Sequence, residues 1–81
     1  METEIRHNIA DVLIHVDENM DSAQREVYLD ELRGRKGVVS VSNNEKTAHL
    51  YIVKYDPEQI NSSELLADVT KKGVHAELVG I

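Results

Sequence analysis

Hydrophobic and polar positions alternate along residues 9–16, IADVLIHV: Val12, Ile14 and Val16 fall on one side, Asp11, Leu13 and His15 on the other. A period of two is that of a strand, which predicts β1 here. The stretch VDENMDSAQR follows (residues 16–25), and Asp21 or Ser22 can cap a helix, with Gln24 three residues after Asp21 completing a weak capping box. Ala23, Val27, Tyr28, Leu29 and Leu32 then form a helical stripe, α1, broken by Gly34 and Gly37. Residues 38–42 (VVSVS) read as β2, and residues 48–55 (AHLYIVKY), rich in strand formers and ended by Asp56-Pro57, as β3. Between them Asn43-Asn44 is expected to take the positive φ values of a tight hairpin. Asn61-Ser62-Ser63-Glu64 is a capping box opening α2, which carries Leu65, Leu66 and Val69 on one face and closes at Lys71, Lys72 and Gly73. Residues 74–79 (VHAELV) are the last strand, β4.

The order β-α-β-β-α-β predicts an α+β, ferredoxin-like sandwich: a four-stranded antiparallel sheet of order 4-1-3-2 with both helices on one face. Right-handed crossovers place β1 and β3 at its centre. The chain is read as a single domain, residues 1–81, with residues 1–8 a flexible N-terminal segment. A domain of this size buries only about 60% of the surface of its unfolded chain, so self-association would add useful stability.

Composition narrows the chemistry. The chain has no cysteine, which removes disulfides, thiolate metal sites and cysteine nucleophiles. It has no Phe or Trp, so Leu, Ile, Val and three Tyr must fill the core. A net charge of −6 argues against a nucleic-acid partner, and the short basic clusters (Arg33, Arg35, Lys36; Lys71, Lys72) sit where helices end and complement their dipoles. The first residues lack the apolar core of a signal peptide, and no apolar run approaches the roughly 20 residues that span a bilayer. A cytoplasmic protein without membrane insertion is expected, and Asn61-Ser62-Ser63 is read as a helix cap rather than a glycosylation site.

In order, the chain shows a strand running into a Met-containing loop (Val16 to Met20), a helix, Gly37-Val38, a hairpin ending Tyr55-Asp56-Pro57, a Ser-containing cap, and Lys72-Gly73-Val74-His75-Ala76-Glu77-Leu78-Val79. In these features it resembles the heavy-metal-associated domains of copper chaperones and metal-pumping ATPases. The resemblance implies a soft-metal loop, Met-x-Cys-x-x-Cys, at the stretch between β1 and α1. Anchoring on Met20 puts Ser22 and Arg25 at the two cysteine positions, and anchoring on Gly37 puts Asp21 and Gln24 there. Neither register holds a thiol, so the resemblance implies a divergent member lacking the CxxC pair.

Other candidate sites remain. Asp17, Glu18 and Asp21 could serve a hard cation, although their spacing is not that of an EF-hand and Asp21 is wanted as a cap. His15, His49 and His75 fall at one end of neighbouring strands. If Leu50 and Ile52 face the helices, the three imidazoles project from the open face of the sheet as a row for Zn²⁺, Ni²⁺ or Cu²⁺. The facing of β3 is ambiguous because both its sides are apolar; the opposite facing turns His49 away and breaks the row. The open face then carries either Leu13, Tyr51, Val53 and Tyr55 or Leu13, Leu50 and Ile52, an apolar patch suited to a protein partner or a homodimer.

No Ser-His-acid arrangement assembles, and Arg25 lies at a helix start rather than in the phosphate-cradling loop an acylphosphatase needs, so no enzyme is expected. Ligand-binding domains of the ACT type share the shape without a residue signature to choose or exclude them. The sequence reading is a non-enzymatic module acting by protein contact, either with itself or with a metal-transport partner. No resident cofactor is expected. The alternative is a protein that binds a divalent transition metal through histidines or carboxylates.

Overall fold

The computed structural model describes residues 8–79; the N-terminal segment expected to be flexible, and His7 with it, lie almost wholly outside them. Its elements are β1 (Ala10–Val16), α1 (Ser22–Arg33), β2 (Val38–Ser42), a 3₁₀ turn (Glu45–Thr47), β3 (Leu50–Tyr55), α2 (Ser62–Thr70) and β4 (Ala76–Val79). The sheet order is β2-β3-β1-β4, all neighbours antiparallel, which is the expected 4-1-3-2 order in reverse. Side chains of all the layers meet in one core: Val12, Ile14 and Val16 of β1, Tyr51, Val53 and Tyr55 of β3, Leu29 and Leu32 of α1, Leu65 and Val69 of α2. Tyr51 is the largest of the fully buried side chains and fills the space a Phe would take elsewhere. Burial pushes its hydroxyl above the usual tyrosine range.

The facing of β3 corrects one expectation. Tyr51, Val53 and Tyr55 are buried, at 1%, 0% and 8% exposure, and are therefore not an interface; Ile52, 40% exposed, and half-buried Leu50 take the open face. Lys54 decides this. It shares the parity of Leu50 and Ile52, its ammonium cannot enter the core, and it pairs at 3.3 Å with Asp11 directly opposite on β1. The open-face apolar row is Val79, Leu13 and Ile52, successive partners across β4, β1 and β3.

The β2–β3 connection also differs from expectation. Asn43 and Asn44 keep negative φ, since every positive-φ residue described is glycine. They act through their side chains: Asn44 Oδ1 accepts from Lys46 and Thr47 N–H at 2.9 and 3.0 Å and caps the 3₁₀ turn. Asn43 Nδ2 donates to the Ala48 and Leu50 carbonyls at 3.0 and 2.7 Å. Gly34 ends α1 in right-handed geometry, and it is Gly37, φ +98°, that turns the chain. The basic residues do more than face helix dipoles. Arg35 pairs with Asp68 and Lys72 with Glu31 at 3.2 Å, tying the two helices together.

The two landmarks of the family pattern are spatial neighbours. Val38 pairs with Tyr55, and the Asp56 N–H donates to the Gly37 carbonyl at 2.7 Å. A Cβ on Gly37 would stand 2.9 Å from Gln59 Cβ, so glycine is required here for space as well as for φ.

Candidate functional site

The segment between β1 and α1 is where the resemblance expects soft-metal chemistry, and Asp21, Gln24 and Arg25 have other engagements there. Asp21 is the N-cap of α1: its Oδ1 accepts from the Gln24 N–H at 2.8 Å, and Gln24 Oε1 accepts from the Asp21 N–H at 3.0 Å. One candidate cysteine register is thus a closed capping box. In the other, Ser22 is the exposed first residue of the helix, and Arg25 donates from Nη1 to the Met20 carbonyl at 2.9 Å. Met20 packs against the core, as an anchor beneath the loop. The guanidinium of Arg25 puts a fixed positive charge where a soft cation would sit.

The three carboxylates diverge. Asp21 caps the helix; Asp17 Oδ1 lies 3.2 Å from His15 Nδ1; Glu18 reaches across to the segment before β4. There it accepts from the His75 N–H at 2.9 and 3.1 Å and meets His75 Nδ1 at 2.7 Å. The side-chain hydrogen bond from His75, and then that from its backbone, hold the Glu18 carboxyl below its usual range; the same side-chain bond, then the Glu18 charge, raises the His75 imidazole. A second strap runs alongside, the Asp17 N–H donating to the His75 carbonyl at 2.9 Å.

The topology does bring the three strand histidines to one end of the sheet, but not into one cluster. His75 is taken by Glu18 and its side chain is 82% exposed. His15 and His49 stand together, ring centres 5.6 Å apart and planes within 18° of parallel. The inverted facing of β3 does not separate them, because β3 begins at Leu50 and His49 lies outside the pleat. Among the described residues, no group of three or more His, Cys, Asp or Glu side chains is placed to hold a metal ion. The three-histidine row is therefore not assembled.

Compared by sequence, the chain matches no family model and no curated protein. Solved structures give the decisive comparison. Oxidised MerP from Ralstonia metallidurans CH34 matches with a TM-score of 0.79 at 17% identity, over 89% of this chain and 99% of that one. The fold is that of the heavy-metal-associated domains. The yeast copper transporter domain Ccc2a, solved in apo and Cu(I)-loaded states, shares it with a TM-score of 0.76 at 23% identity, covering 86% of this chain and 94% of that one. The N-terminal soluble domains of Bacillus subtilis CopA share it with a TM-score of 0.77 at 20% identity, covering 88% of this chain and 48% of that one. This chain is thus a cysteine-free version of the heavy-metal-associated fold. Among its described residues, no helix is long and apolar enough to cross a membrane.

What sequence reasoning missed was pairing, not residue type. Glu18 and His75 are 57 positions apart, and their contact follows only from the register that sets β4 beside the end of β1. The parity of Lys54 was the available signal for the facing of β3.

Proposed function

We propose that the chain is a non-enzymatic, cytoplasmic module of the heavy-metal-associated fold that works by protein contact, with a second copy or with a metal-transport partner, rather than by thiolate metal transfer. The observation that carries this reading is the state of the loop. The positions that would hold thiols are Asp21 and Gln24, or Ser22 and Arg25. They form a closed capping box in one register, and an exposed helix start beside a guanidinium in the other. The scaffold is retained around a loop with no soft donor at either pair of positions. Supporting context comes from neighbours such as the copper binding domain of HMA7, a P-type ATPase, whose fold is shared.

The contact surface in this reading is the open face of the sheet. Leu13, Ile52 and Val79 form its apolar row, with Asp11 and Lys54 beside it as a charged pair. A small domain whose helices cover only one side of its sheet leaves such a row for a partner. Sedimentation equilibrium tests this, on the chain alone and mixed with the soluble domain of a copper-transport ATPase from the same organism. Association in either sample is expected, and the double variant Leu13→Glu, Ile52→Glu should lose it while staying folded. A chain that is monomeric in both samples contradicts the reading.

A further inference from the structure

We propose that the open face of the sheet is self-complementary and takes a second copy of this chain, docked about a two-fold axis that runs along the strands between β1 and β3. The inference rests on the protein-contact reading above and goes beyond it by naming the partner and the docking geometry.

The register of the sheet lays out the face in rows. Leu13 is directly opposite Val79 on one side and Ile52 on the other, and Ile52 is opposite Ser42. Cross-strand partners point to the same face, so Val79, Leu13, Ile52 and Ser42 cross the sheet as one row. Two residues along the strands, Asp11 is opposite Lys54, and Lys54 is opposite Ser40. The helices pack on the other side, against Val12, Ile14, Tyr51 and Val53.

A two-fold axis in the plane of the interface, between β1 and β3, exchanges the two central strands and reads each row backwards against itself. Leu13 then falls over the second copy's Ile52, Ile52 over its Leu13, and each Val79 over a small Ser42. In the next row Asp11 falls over the second copy's Lys54 and Lys54 over its Asp11, so four charges alternate in sign around the axis. The other in-plane two-fold, along the apolar row, instead sets Lys54 against Leu50 and Asp11 against His15. An ammonium meeting a leucine has no partner across the interface, and charge therefore selects the first axis.

The distribution of charge favours the same side. The chain carries −6 overall, yet on this face the two central strands present one acid and one base, Asp11 and Lys54. Glu26, Asp30 and Glu31 of α1 and Glu64 and Asp68 of α2 belong to the layer on the opposite side of the sheet. Two copies meeting through their open faces keep those acids apart. Strands of four to seven residues, spaced about 4.8 Å apart, make a face at the low end of specific interfaces, so association in the micromolar range or weaker is expected.

A charge-swap mixing experiment tests the geometry, by sedimentation equilibrium over the micromolar to millimolar range. The native chain is expected to show a monomer–dimer equilibrium. Asp11→Lys places four positive charges around the axis and Lys54→Glu four negative ones, so each variant alone should weaken association by on the order of tenfold or more. An equimolar mixture of the two should recover it, because each copy then meets the opposite charge. Both variants still lack their intrachain pair in that mixture, so a merely structural role for Asp11 and Lys54 gives no recovery. On dilution of the native chain, the methyl NMR signals of Leu13, Ile52 and Val79 should shift, with those of Val27 and Leu66 on the helices unmoved. Failure of the mixture to recover, undiminished association of either variant alone, or dilution shifts centred on the helices overturns the proposal. A native chain that stays monomeric also overturns it. If that chain still binds the copper-transport ATPase domain, only the second copy falls and the protein-contact reading stands; binding to neither removes both. The native dilution shifts decide the matter even if a charge variant fails to fold.

Discussion

Gly37 and Gly73 both hold positive φ, +98° and +97°, but their surroundings differ. An added Cβ meets Gln59 at 2.9 Å at Gly37 and nothing within 4 Å at Gly73. Backbone strain alone costs a non-glycine residue about 1–2 kcal/mol in such a conformation, so Gly73→Ala should lose about that much in a urea denaturation series. Gly37→Ala adds the clash and should lose distinctly more, or fail to fold; equal losses would contradict the crowding of Gly37 against Gln59. The Glu18–His75 pair predicts a pH dependence with a definite sign. The raised His75 contributes stability below the ordinary histidine value of about 6.5, lost as pH rises through its folded value. The lowered Glu18 contributes above the ordinary glutamate value of about 4.3, lost as pH falls through its folded value. Thermal melts should therefore show the pair's contribution greatest between those limits, and a His75→Ala variant should flatten the profile there. Lys54 is the residue from which more could have been read. With both sides of β3 apolar, only its charge breaks the tie, and it sits opposite Asp11 at the matching register position.

Elements were legible where their determinants are local. Both helix starts are written in four-residue boxes, Asp21 to Gln24 and Asn61 to Glu64, and both boxes close with reciprocal hydrogen bonds of 2.8 and 3.0 Å. Removing either cap, by Asp21→Ala or Asn61→Ala, should cost about 1 kcal/mol in chemical denaturation with the fold retained. No loss on Asp21→Ala would reopen that side chain for another role. The β2–β3 connection was not legible in the same way. Asparagine pairs suggest positive φ, yet Asn43 and Asn44 instead satisfy backbone groups up to seven residues along the chain. The strand ends shift for a similar reason: Ala48, His49, Val74 and His75 fit the strand pattern in sequence, but β3 begins at Leu50 and β4 at Ala76. Around those ends His75 clamps the loop after β1, and His49 turns toward Val16 and His15.

At the scale of the molecule, the sheet order and the family likeness followed from element order and spaced landmarks, and the match to MerP at 17% identity shows how little sequence the fold requires. Long-range side-chain pairing is what element order does not carry: Glu18 on His75, His15 on His49, Arg35 on Asp68. The molecule has a scaffold that its solved neighbours share, and the segment after β1 supplies a helix cap, a clamp on His75 and a guanidinium. Two substitutions are expected to install a soft-metal site on this geometry. The pair Ser22→Cys, Arg25→Cys puts thiols in the first turn of a helix, where the N-terminus favours thiolates and the competing cation is gone. The most direct measurement is a Cu(I) titration of the native chain against a competing chelator, with that double variant beside it. The native chain is predicted to leave copper with the chelator at one equivalent, while the variant takes it up. Stoichiometric Cu(I) withdrawn from the chelator by the native chain would contradict the proposal that it does not work by soft-metal transfer.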